Sequence, residues 1–304
     1  MREKKTLKNI LNQRFEKQNI KIEEKLIPRG FEVFGSVAVV DMSSFAHQGL
    51  LKQKNSAKIK KEIADALKEM NSNIKTILLK KDKLEGEFRT GSYELLYGKD
   101  TCCAHRESNC VFEFDIAKTY FSTKLGNERR ALAESVKNKE TILCAFAGVC
   151  PFPIVIAKQK QVNIDAVEKN PYCKKYALAN IKKNKVEDKI EFYCDDIAEF
   201  LSKTKKKYSR ILMLAPKINH EFIDLMLDYL NLSNGKKGII NYYCICKLDK
   251  NTDEIKETTR KIKEKIKKKN LECSFKNIRK CGNLAPYQFR IHIEIVVKRK
   301  ERQK

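Results

Sequence analysis

The spacing of apolar positions changes character near residue 110. Residues 1–26 are densely charged, with apolar residues only at scattered helical spacings, and read as a basic helix or a frayed tail. Pro28 and Gly30 punctuate that stretch. The β-branched run Phe31–Met42 predicts a strand pair or one long strand. Lys58–Met70 predicts an amphipathic helix with Ile59, Ile63, Ala66 and Leu67 on one face. Ile74–Leu79 predicts a second strand and Tyr93–Tyr97 a short third. These elements make a small α+β domain over residues 27–110, ending near the polar stretch Gly98–Asn109.

From residue 111 onward, strand and helix patterns alternate. Thr141–Phe146, Val162–Val167, Ile190–Cys194, Arg210–Leu214 and Gly238–Cys246 read as strands. Helices follow from Pro151, from Pro171, after Cys194, from His220 and over the Lys-rich Asp253–Lys269, and Phe289–Val297 is a last strand. Such alternation predicts an α/β domain over 111–304 with a largely parallel sheet covered by helices on both faces. No internal repeat is visible.

Composition narrows the class. A length of 304 residues suits two domains. An apolar content of 42% supports a packed core and excludes wholesale disorder. No apolar run approaches the roughly 18 residues that a bilayer span needs. The N-terminal residues lack the apolar core and cleavage site of a signal peptide. A cytoplasmic protein with no membrane partner is therefore expected.

The formal net charge of +25 points to a polyanionic partner, because neutralising phosphates releases condensed counterions. Lysine-rich solvated helix faces contribute to that charge as well. Nucleic acid is favoured over an anionic membrane, since no helix sets bulky apolar residues against a basic face. Trp is absent, so base stacking falls to Phe, Tyr or Arg. The eleven cysteines are odd in number and irregularly spaced, which argues against a disulfide framework. Cys102, Cys103, His105 and Cys110 lack paired C-x-x-C units, and adjacent cysteines face opposite sides of a strand, so no metal site is expected there.

The first strand of the alternating domain runs into Phe146-Ala-Gly148-Val-Cys150-Pro151-Phe152. In open α/β sheets ligands bind beyond the carboxyl ends of the strands, and small residues there let the backbone approach closely. Pro151 suits the first turn of a helix. Glu168, 20 residues after Gly148, ends the next strand where a carboxylate meets ribose hydroxyls. Asp195 and Asp196 end the third strand, within reach of an adenine amino group. Each acid alone is an ordinary solvated carboxylate; glycine turn, acid and acid in succession point to an adenosine cofactor. No P-loop lysine follows the glycine, which disfavours ATP hydrolysis.

Several segments carry a more specific likeness. They are Phe114-Asp115, Tyr120-Phe121-Ser122, Leu125-Gly126-Asn127-Glu128-Arg129, Phe146-Ala-Gly-Val, Glu168-x-Asn170-Pro171 and Asn180-Ile-Lys-x-Asn184. Pro28-Arg-x-Phe31, Gly86-Glu-Phe-Arg89 and His105-Arg-Glu107 lie upstream; Lys217 to Phe222, Asn241-Tyr-Tyr243 and Ala285-Pro286 lie downstream. Together they resemble the archaeal and eukaryotic tRNA (guanine-37-N1)-methyltransferases over about residues 27–298.

The resemblance implies a class I methyltransferase Rossmann-like sheet preceded by a small α+β domain. It also implies S-adenosyl-L-methionine as cofactor and methyl transfer to N1 of the guanosine 3′ of the tRNA anticodon, with no obligate protein partner. Glu128 matches the family base, Arg89 the guanidinium near O6, and Tyr120 stands with them as a catalytic position. Phe146, Ala147, Gly148, Glu168, Asp195, Asp196 and Leu214 match cofactor positions, and Arg129, Lys124 and Lys217 RNA contacts.

The chain departs from the family at Cys144, where Asp is usual, and at Cys150, where Gly is usual. It departs again at Leu214-Ala215-Pro216, where the family has Asn-Leu-Pro. Cys150 is thereby expected to add a side chain where the backbone lies closest to the ligand. The sister family, wybutosine-pathway aminocarboxypropyl transferases, shares the cofactor and fits Glu168-Lys-Asn-Pro171. An inactive tRNA-binding relative is the third alternative.

Overall fold

The computed structural model describes residues 6–28, 30–44, 49, 53–82, 91–249 and 253–300. The chain divides into two compact units, Met1–Arg106 with Val111–Phe121, and Glu107–Cys110 with Ser122–Lys304.

In the first unit the N-terminal basic stretch contains a packed helix, α1 (Leu7–Lys17). Thr6 caps it by accepting from the Asn9 amide at 3.3 Å. Leu7, Ile10, Leu11 and Phe15 fall on one helical stripe and are buried. They pack with α2 (Ser56–Met70), whose Ile59, Ile63, Ala66 and Leu67 are also buried. Arg14 ties the two helices to each other through Glu62 at 3.0 Å and Glu69 at 2.8 Å. The basic residues of α1 thus occupy its outer face, and its apolar stripe belongs to the core.

The sheet beneath has the order β1 (Glu32–Phe34), β2 (Val37–Asp41), β3 (Thr76–Lys80), β4 (Tyr93–Tyr97). β2 and β3 are parallel, and the other pairs are antiparallel. Phe31–Met42 is therefore a strand pair, turned at Gly35. Gly35 has φ +60°, and a Cβ there would lie 2.0 Å from the Ala104 carbonyl oxygen. Gly35→Ala is expected to cost more than about 1 kcal/mol, read as a lower urea midpoint. An unchanged midpoint would mean that the turn relaxes freely.

An unanticipated hairpin, β5 (Cys102–Glu107) and β6 (Cys110–Asp115), starts in the polar stretch Gly98–Asn109 and runs across the boundary expected at residue 110. Its two-residue turn, Ser108-Asn109, has both φ positive, 48° and 58°, which matches the twist of a tight hairpin.

The second unit carries a seven-stranded sheet among the described residues. Its strands are β7 (Thr141–Ala145), β8 (Asn163–Val167), β9 (Ile190–Tyr193), β10 (Arg210–Met213), β11 (Gly238–Lys247), β12 (Leu271–Ala285) and β13 (Gln288–Arg299). The order is β12-β13-β11-β10-β7-β8-β9. β11 through β9 run parallel, and β12 and β13 are antiparallel additions. The helices are α3 (Gly126–Ser135), α4 (Pro151–Gln159), α5 (Pro171–Lys183), α6 (Ile197–Lys203), α7 (Asn219–Asp228) and α8 (Glu254–Lys268).

β7 and β10 read as short apolar runs because neither face meets water, and Ile142, Leu143, Ile211 and Leu212 have no exposed surface. The chain goes outward from β7 to β8 and β9, then returns to β10 on the other side. That reversal opens a crevice at the carboxyl end of β7. The expected Rossmann-like α/β sheet is present, with β12 as an edge strand that the sequence pattern passes over.

Candidate active site

Three residues of the turn after β7 adopt left-handed φ: Phe146 at 61°, Gly148 at 58° and Cys150 at 65°. Only glycine does so without steric cost, and the two others must be held by their surroundings. The Glu168 carboxylate, just beyond β8, accepts from the Gly148 amide at 2.7 Å and the Asn170 amide at 2.9 Å. It therefore clamps the turns after β7 and β8 together. Burial pushes its pKa up, and the amides of Asn170, Gly148 and Lys169 oppose that rise. Asn180 of α5 donates to the Val149 carbonyl at 3.2 Å, and Asn170 caps α5 through the Tyr172 amide at 3.0 Å.

Cys150 differs from expectation. It has no exposed surface, and burial raises its thiol pKa well above the ordinary value. Its side chain is therefore packed in the interior of the unit. Phe146 and Gly148 are half-buried and Ala147 is buried.

Beyond β9, Asp196 caps α6 through the Ala198 amide at 2.8 Å and pairs with Lys169 at 3.3 Å. Asp195 pairs with Lys203 at 2.9 Å, and that contact lowers its pKa. Beyond β10, Leu214 is half-buried. Asn219 of α7, which the sequence analysis did not single out, is fully buried. Its Nδ2 donates to the carbonyls of Met213 and Tyr243, bracing the ends of β10 and β11.

Glu128 lies in the first turn of α3 and is 4% exposed. Its Oε1 accepts from the Tyr243 hydroxyl at 2.7 Å and from Arg279 Nη2 at 2.8 Å; its Oε2 accepts from Arg279 Nε at 2.9 Å. His292 Nδ1 lies 3.6 Å from Oε1. Burial opposes the charge of Arg279, but the Glu128 carboxylate outweighs it and holds the guanidinium pKa above its ordinary value. Burial, and then the same carboxylate, push the Tyr243 phenol well up.

Tyr243 stacks on His292 with centroids 4.9 Å apart and meets Phe152 edge-on at 5.9 Å. Phe152 is the second residue of α4, just after the glycine turn. The carboxylate cage and the crevice of β7 are therefore neighbours, joined through Phe152 and Tyr243.

Arg279 and His292 were not legible as site residues. Arg279 sits on β12, where the register with β13 shifts between Lys276 and Arg279 and Asn277 takes φ 47°. A bulge of this kind re-aims the following side chains. Tyr243 had a signal, since Asn241-Tyr-Tyr243 belongs to the family likeness.

Arg129, expected as an RNA contact, is a buried side chain. It is 1% exposed, with Nε and Nη2 on the Glu107 carboxylate and Nη2 also donating to the Ser122 carbonyl at 2.9 Å. These internal acceptors hold the guanidinium in the interior of the second unit. Lys124 and Lys217 are exposed. Tyr120 is half-buried in the first unit. Arg89 lies outside the described residues. Among the described residues no helix is long and apolar enough to cross a membrane, and no cluster of three metal-ligating side chains occurs.

The sheet order, the left-handed turn and the acids at successive strand ends define an α/β domain of the nucleoside-cofactor class. The chain belongs to the TRM5/TYW2 methyltransferase family: residues 103–274 match the TRM5/TYW2 methyltransferase domain and residues 7–101 the TYW2 N-terminal domain. It is 30% identical over 274 residues to the tRNA (guanine(37)-N(1))-methyltransferase Trm5b of Pyrococcus abyssi, covering 90% of this chain and 76% of that protein. It is 33% identical over 189 residues to the tRNA(Phe) (4-demethylwyosine(37)-C(7)) aminocarboxypropyltransferase of Methanocaldococcus jannaschii, covering 61% and 73%. The solved structure of aTrm5 in complex with tRNALeu matches with a TM-score of 0.75 at 27% identity, covering 97% of this chain and 79% of that one.

Proposed function

We propose that the protein methylates N1 of guanosine 37 in tRNA, using S-adenosyl-L-methionine. The observation that carries this reading is the buried Glu128 carboxylate beside the cofactor crevice. N1 of guanine bears a proton, and its lone pair becomes a nucleophile only as that proton leaves. As the N1–C bond forms and the sulfur–methyl bond breaks, the N1 proton passes to Glu128. Oε1 already accepts two hydrogen bonds, so Oε2, with one, has the open lone pair.

The crevice residues suit the cofactor. Glu168 is fixed by two amides and keeps lone pairs for ribose hydroxyls. The Phe146–Gly148 backbone and Leu214 border the crevice, and Asp195 or Asp196 meets the adenine edge. Bound there, the cofactor supplies an electrophilic methyl carbon. Arg89 stabilises charge developing on O6 and Tyr120 lines the base, while Lys124 and Lys217 contact phosphates in keeping with the net charge of +25. Residues 27–110 serve as the RNA-contacting domain and 111–304 as the cofactor domain, in a cytoplasmic enzyme.

Glu168→Ala is expected to weaken cofactor binding at least about tenfold by calorimetry, from lost charge-assisted hydrogen bonds. An unchanged dissociation constant would remove its ribose role.

A second reading has its own support, because residues 7–101 match the TYW2 N-terminal domain. One experiment separates the readings: incubation with tRNA bearing either guanosine or 4-demethylwyosine at position 37 and methyl-labelled S-adenosyl-L-methionine. Label in 1-methylguanosine supports the proposal. Label kept in methylthioadenosine, with an aminocarboxypropyl group on the base, replaces it with the second reading. Tight tRNA binding with neither product identifies an inactive binding protein.

A further inference from the structure

Behind Glu128 a file of buried polar side chains crosses β13, β11 and β10. Arg210 is held by Glu140 through Nε at 2.6 Å and Nη2 at 3.1 Å, and its Nη1 donates to Asn241 Oδ1 at 2.9 Å. A guanidinium has only donors, so Asn241 must turn its oxygen to Arg210. Its amide nitrogen then faces His292 Nε2, at 2.9 Å. That nitrogen also only donates, so Nε2 must be the bare atom of the ring. Burial, then Arg279 and Arg210, push the His292 pKa down to about 3, so the ring is neutral. Its single proton therefore sits on Nδ1.

Nδ1 is buried and has no hydrogen-bond partner, although Glu128 Oε1 lies 3.6 Å away. That distance is too long for a hydrogen bond. Oε1 is already filled by Tyr243 and Arg279. The side chain of Arg279 is 32% exposed and that of Glu128 is 3% exposed. The guanidinium is thus the solvent-facing member of the pair.

We propose that His292 is a positioning residue for the reaction and the reserve donor to Glu128. When the target base displaces Arg279, the His292 Nδ1–H takes over the vacated place on Oε1. With Tyr243 it then holds the carboxylate still while Oε2 receives the proton. The Arg210–Asn241 pair sets the tautomer that makes this exchange possible. This inference rests on the role given to Glu128 above.

The test is nitrogen-15 NMR of protein labelled at histidine. The chain has four histidines, and the His292 signal is the one lost in His292→Asn. The free protein is expected to show a neutral ring with Nδ1 protonated and Nε2 bare. Adding unmodified tRNA with S-adenosylhomocysteine should move the Nδ1 proton downfield as the bond closes. An Nε2-protonated ring, a charged ring, or no downfield movement with tRNA bound overturns the proposal.

In turnover, His292→Asn keeps an amide donor near the Nδ1 position and should hold kcat within a few fold. Asn241→Leu releases the tautomer and should lower kcat more than tenfold with cofactor affinity kept. Wild-type kcat in a folded His292→Leu protein also overturns it. The tautomer is read without turnover, so loss of the methylation reading would be seen separately, in the products.

Discussion

Glu128→Gln is expected to slow methyl transfer by at least about a hundredfold while leaving the cofactor dissociation constant unchanged. General-base catalysis contributes about 10²–10⁴ in rate, and an amide of the same shape cannot take a proton at neutral pH. The substitution keeps one oxygen for Tyr243 or Arg279 but loses the forked ion pair. Arg279 is partly exposed and can turn to water, so the fold should survive. Single-turnover rates with limiting tRNA, beside calorimetric binding of the cofactor, give the answer. A rate near that of the wild type would remove Glu128 as the base and leave it a structural anchor for β12.

The largest stability effect is expected at Arg210. Arg210→Met should destabilise the protein by about 3–5 kcal/mol, because breaking a buried ion pair strands the remaining charge. Arg210 is 1% exposed, and its partners Glu140 and Glu294 are nearly buried, the latter at 3.8 Å from Nη1. Asn241 loses its partner as well. On a total of roughly 5–15 kcal/mol this is a large fraction, visible as a shift of the urea midpoint at constant slope. Adding Glu140→Gln should restore part of the loss, since the two sites share one interaction. A single variant within about 1 kcal/mol of wild type would show that Glu140 and Glu294 reach solvent readily.

The parallel half of the large sheet was legible because strands buried on both faces leave short apolar runs that alternate with helices. The positions of the turn after β7 and of Glu168 beyond β8 were legible because the ends of buried strands are marked in the sequence spacing. β12 was passed over because an edge strand with one exposed face keeps many polar residues, and three register irregularities break its alternation. The hairpin of β5 and β6 was missed because Ser108-Asn109 lacks the glycine that marks such turns. α1 was read as either helix or tail because its charge density masks a narrow apolar stripe.

The site divides in the same way. The sequence by itself determined the α/β class, the crevice at Phe146–Gly148, the acid at Glu168 and the candidacy of Glu128, since each follows from local periodicity, strand-end chemistry or a contiguous motif. Only the tertiary structure decided that Arg129 is spent on Glu107 and that Cys150 is turned inward. It alone brought Arg279, 151 residues away in sequence, onto Glu128. The reason is physical: hydrogen-bond partners on different strands are chosen by sheet register and by a single bulge, and neither leaves a periodic trace in the chain.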